Sequence, residues 1–72
     1  MKAIKENDLK RIFGEVMFNE FLAYMKGRTY VKKDNQPVYY ENNINDFLLI
    51  FFRRTYCELI FWKELRKVEI EV

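Results

Sequence analysis

The sequence predicts an α+β fold: an N-terminal helix, a β-hairpin, one or two further helices, and a C-terminal strand joining a small antiparallel sheet. Apolar residues recur at helical spacing from Leu9 to Tyr24. Between Thr29 and Tyr40, β-branched and aromatic residues stand on either side of Asp34-Asn35, a pair suited to a tight turn. The final stretch Val68-Glu69-Ile70-Glu71-Val72 alternates apolar and acidic residues with the period of a strand that has one buried face.

With 72 residues there is room for one domain and one small core, because folding a chain of this size buries only about 60% of its extended surface. Half the residues are apolar and only two glycines and one proline are present, too many core formers for a disordered tail. A lone cysteine, Cys57, cannot close an internal disulfide, and without histidine the chain lacks the ligand set of a structural zinc site. Stability must then come from an efficient aromatic core or from self-association. No metal or other cofactor is expected.

In order along the chain, Asn7 or Asp8 is the expected cap of a helix over residues 8–26, with Leu9, Ile12, Phe13, Val16 and Met17 on one face. Gly27, preceded by Lys26, is its expected C-terminal stop. A second stripe on the same helix, Gly14, Phe18, Leu22 and Met25, needs a second neighbour. That neighbour is either the rest of the domain or a partner. The hairpin follows, with Val31 and Val38-Tyr39-Tyr40 in its arms and Pro37 where a missing donor costs least.

Glu41-Asn42-Asn43 offers a cap for a helix beginning near Ile44. Its apolar run, Phe47 to Phe52, is the longest in the chain, and together with Leu59-Ile60-Phe61-Trp62 it should be buried. At six residues it is far short of the roughly 20 that span a bilayer, so the expectation is a soluble, cytoplasmic protein with no membrane partner. Residues 55–66 fit a third helix capped by Thr55, or a strand. The terminal strand is expected beside the hairpin, since a two-stranded ribbon is marginal by itself.

Catalysis finds little support. Histidine is absent, the eleven carboxylates are scattered singly, and Cys57 has no base to activate it, so neither enzyme activity nor a small-molecule substrate is expected. Two other signals remain. Lys26, Arg28, Lys32 and Lys33 form a basic segment around Tyr30, to which Arg53 and Arg54 add charge, and such a set could track phosphates as a small nucleic-acid-binding regulator does. It also matches a solvated hairpin whose lysines guard an edge.

The surplus of aromatic and methionine side chains over the available interior points instead to a surface for a protein partner or a second copy of the chain. Phe18, Leu22, Met25, Tyr30, Tyr39 and Tyr40 are its expected contact residues. The expected function is therefore a non-enzymatic protein–protein interaction module. Small size and heavy use of Lys, Asn, Ile, Phe and Tyr are typical of proteins from AT-rich mobile elements such as phages, many of which bind and inhibit a host factor.

Overall fold

Eight elements follow the chain in the computed structural model, which describes residues 1–52 and 55–72, with the backbone alone for 55–58. They are β1 (Lys2–Lys5), α1 (Glu6–Phe13), α2 (Glu15–Met25), β2 (Val31–Lys33), β3 (Gln36–Tyr40), α3 (Glu41–Phe52), α4 (Thr55–Leu65) and β4 (Ile70–Glu71). The strands form one antiparallel sheet in the order β2-β3-β1-β4, and the fold is α+β as expected.

The long N-terminal helix is in fact two. Leu9, Phe13, Met17, Phe21 and Met25 are all buried and are spaced by four. On a straight helix each such step overshoots a full turn by about 40°, so Leu9 and Met25 would point about 160° apart. No single core could take them all. Gly14 resolves the conflict at φ 83°, ψ 166°, backbone space that is essentially glycine's alone. Its N–H still donates to the Lys10 carbonyl and its own carbonyl accepts from Phe18 N–H, both at 2.9 Å. The break resets the helical phase, so that α1 and α2 line one core while Val16, expected inside, is exposed. The helix also starts earlier than Asn7 or Asp8, at Glu6, with Lys5 as N-cap and no side-chain cap. Its far end is as anticipated: Gly27 has φ 83° and Arg28 N–H reaches the Met25 carbonyl at 2.9 Å.

In the hairpin, Asp34 (φ 54°) and Asn35 (φ 65°) both take the left-handed conformation of a two-residue turn whose twist matches the strands. The register pairs Val31 with Val38 and Lys33 with Gln36. Tyr39 therefore shares a face with Ile4, its partner across β1, and both join the helical core, whereas Tyr40 lies on the other face opposite Ala3. β4 does not extend the hairpin. It pairs with β1, Ala3 opposite Ile70, so the strand that separates it from β3 is the short N-terminal one. A Val72 N–H to Met1 carbonyl bond of 2.8 Å extends that pairing.

α3 begins at Glu41, directly after β3, rather than near Ile44, and residues 55–65 are helical. The two apolar runs are only half inside. Phe47, Leu48 and Trp62 are buried and Phe52 and Phe61 half-buried, but Leu49, Ile50, Phe51, Leu59 and Ile60 are exposed. A helix hydrophobic all round needs neighbours all round, and the other elements supply them on one side. Among the described residues, no helix is long and apolar enough to cross a membrane.

Candidate functional site: a groove between α2 and β3

The end of α2, the loop after it and β3 enclose a groove of about 410 Å³ lined by Glu6, Leu22, Met25, Lys26, Gly27, Arg28, Tyr30, Pro37 and Tyr39. Four of the six expected contact residues meet here. Met25 and Tyr39 are buried and belong to the core, so they form the floor. Leu22, 40% exposed, and Tyr30, 47% exposed, stand above them. Tyr30 is held against Tyr39 with ring centroids 5.7 Å apart.

Two of the expected contact residues lie outside the groove. Phe18 is buried, its ring 6.4 Å from Phe21, because the docking of α2 covers that side of the helix. Tyr40, half-buried on the other face of the sheet, is not among the groove's lining residues. Sequence reasoning missed Glu6 and Pro37. Pro37 could have been found from its place two residues before Tyr39 on the same strand face, whereas Glu6 carries no local signal and meets Tyr39 only because β1, just before it, pairs with β3.

Glu6 gives the floor its polar feature. The Tyr39 hydroxyl donates to Glu6 Oε2 at 3.0 Å. Burial pushes the Tyr39 phenol well above its ordinary value of 10.0, and the bond to Glu6, the Glu6 charge and the proximity of Tyr30 push the same way. Below pH 10 the proton is bound in both folded and unfolded chains, and the contribution to stability is complete. Above it the unfolded chain releases the proton first, so stability falls as pH rises, by up to about 1.4 kcal/mol per pH unit. Tyr39→Phe should cost about 1 kcal/mol near neutrality through the lost hydrogen bond. That deficit should shrink and then invert in urea titrations taken from about pH 8 to pH 11. A constant difference between the two proteins across that range would show that Tyr39 ionises as freely folded as unfolded.

The cations are less uniform than the sequence suggests. Arg28 Nη1 donates to the Tyr24 carbonyl at 2.7 Å and its Cζ lies 4.1 Å from the Tyr24 ring centroid, so Arg28 fastens the end of α2. Lys33 Nζ donates to the Glu71 carbonyl at 3.3 Å. Lys26 is exposed on the groove rim and Lys32 is exposed on β2. Arg53, Arg54 and the Cys57 side chain lie outside the described residues.

A second concavity, about 540 Å³, runs between α3 and α4 and is lined by Glu41, Asn42, Asn45, Leu59, Trp62, Lys63 and Arg66. Its walls are cross-braced. Trp62 Nε1 donates to Asn45 Oδ1 at 3.2 Å, and Arg66 reaches Glu41 at 3.5 Å and Glu69 at 3.6 Å while its Cζ lies 5.2 Å from the Trp62 ring centroid. Comparison with protein-family models, with curated proteins and with solved structures finds no match for this chain.

Proposed function

We propose that this chain is a non-enzymatic interaction module that holds an apolar segment of another protein in the groove between α2 and β3. One observation carries this reading: Leu22 and Tyr30, from different elements, stand exposed over Met25 and Tyr39 in a single concavity. Scattered exposed apolar residues are ordinary on any protein surface, but two that converge over a buried floor of Met25 and Tyr39 resemble the centre of a contact. Lys26 and Arg28 on the rim favour a segment that carries an acidic residue beside its apolar one.

Leu22→Asp and Tyr30→Ala test it. Both side chains are partly exposed, so the far-UV spectrum and melting profile should stay close to those of the parent. A partner retained from nuclease-treated lysate should be held at least about tenfold more weakly by either variant. Unchanged retention would remove the groove from consideration, and loss of the fold on Leu22→Asp would mean that Leu22 is structural. Retention that vanishes with nuclease, or falls steeply with added salt, would transfer the function to phosphate contacts by Lys26, Arg28, Lys32 and Lys33.

A further inference from the structure

Another exposed apolar surface lies elsewhere, on α3 and α4. Leu49 and Ile50 (62% exposed) on α3, with Leu59 (66%) and Ile60 (67%) on α4, leave four large apolar side chains open to water. Together they expose on the order of 500 Å², within the range for the largest patch on a monomeric protein. A standard contact buries about 800 Å² per partner, and its core is about two-thirds apolar. The patch therefore has the size of the centre of one such contact.

Charges at the patch decide what fits it. On α3, Asp46 lies one turn before Leu49 and Ile50; on α4, Lys63 lies one turn beyond Leu59 and Ile60. Both are exposed. Glu64, also one turn beyond Ile60, is paired with Lys67 at 3.3 Å. Among the described residues, then, the patch is flanked by one acid on one helix and one base on the other. Such a surface is complementary to itself. A two-fold axis along the α3–α4 pair would set α3 of each copy against α4 of the other, bringing Asp46 opposite Lys63 twice and the apolar residues of the two copies face to face.

We propose that the exposed face of α3 and α4 is a self-association surface and that its occupant is a second copy of this chain, joined about a two-fold axis. The surface is separate from the groove between α2 and β3, and the proposal goes beyond the function assigned to that groove. It also meets a need of the chain: with a single cysteine and no histidine, a 72-residue domain has few other ways to enlarge its core.

Light scattering and sedimentation velocity, from micromolar concentrations to about 100 µM, test it on the full chain. The expected mass is twice the protomer's 9.0 kDa. Ile60→Asp should weaken association at least about tenfold. Because a polar substitution in a helix near the core could disturb folding, a second set uses the exposed charges. Asp46→Lys and Lys63→Asp should each weaken the dimer, and the double variant, which restores opposite charges across the axis, should recover it. Leu22→Asp, in the separate groove, should leave the mass unchanged. A protomer mass throughout the range, an assembly larger than a dimer, a dimer indifferent to Ile60→Asp, or a double variant no better than the singles would each overturn the proposal.

Discussion

Replacing Phe21 with alanine is expected to cost about 3–5 kcal/mol, most of the stability available to a domain of this size. Phe21 is completely buried and sits at the centre of the aromatic core. Its ring centroid lies 5.0 Å from that of Tyr39 and 5.2 Å from that of Phe47, both edge to face, and 6.0 Å from that of Phe13. Truncation would open a cavity where α1, α2, α3 and the sheet meet, which Met17 and Met25, one turn away on α2, could fill only in part. Native domains gain roughly 0.05–0.15 kcal/mol per residue, so a chain this short has little reserve. The variant should be largely unfolded at 37 °C, read as loss of near-UV dichroism and a collapsed urea midpoint. Phe21→Leu, which keeps most of the volume, should retain the fold at a cost of about 1–2 kcal/mol. A Phe21→Ala loss below about 1 kcal/mol would place the stabilising core somewhere else.

Gly14→Ala should destabilise by about 1–3 kcal/mol. The sign matters more than the size. Were residues 8–26 one helix, Gly14 would be interior to it and alanine would stabilise by about 0.5–1 kcal/mol through reduced backbone entropy in the unfolded chain. At φ 83°, ψ 166° an alanine Cβ meets no neighbouring atom within 4 Å, so the penalty is the backbone conformation itself rather than a clash. Relief of that strain would require α1 and α2 to fuse, which would pull Met17 and Phe18 out of register with the core they share with Leu9 and Phe13. Urea denaturation of the parent and variant decides the matter. A stabilised variant would mean that the helix is continuous in solution.

These two residues mark where the sequence was readable and where it was not. Phe21 belongs to a periodic apolar pattern that announces a helix and its buried side. Gly14 lies in the same pattern and gives no local warning. The conflict it resolves, buried residues four apart on a helix of 3.6 residues per turn, appears only when all of them are required to face one core. The groove follows the same division. Leu22, Met25, Tyr30 and Tyr39 were recognisable as aromatic or apolar residues in excess, but their convergence depends on the Asp34-Asn35 turn and on the pairing of β1 with β3. Phe18 and Leu22 share a stripe on α2, and only the docking of that helix decides that Phe18, on the side of Phe21 and Met25, is covered while Leu22 at the edge is not.

The exposed face of α3 and α4 was the least legible feature. A continuous apolar run reads as buried, and half of this one is not. Which half stays outside depends on where the other elements dock, and nothing within residues 47–52 states that.

Local chemistry in the chain by itself determined the α+β class, the hairpin and its left-handed turn, the stop at Gly27, and a helix from about Ile44 to Phe52. Each rests on interactions between residues a few positions apart, which sequence spacing describes directly. Only the tertiary structure decided that residues 55–65 are helix and not strand, that Lys2–Lys5 is an inner strand of the sheet, that β4 pairs with it instead of with the hairpin, that the first helix breaks, and which greasy side chains face water. Those outcomes depend on contacts between residues as far apart as Ala3 and Ile70, whose energies enter only after the chain has closed on itself.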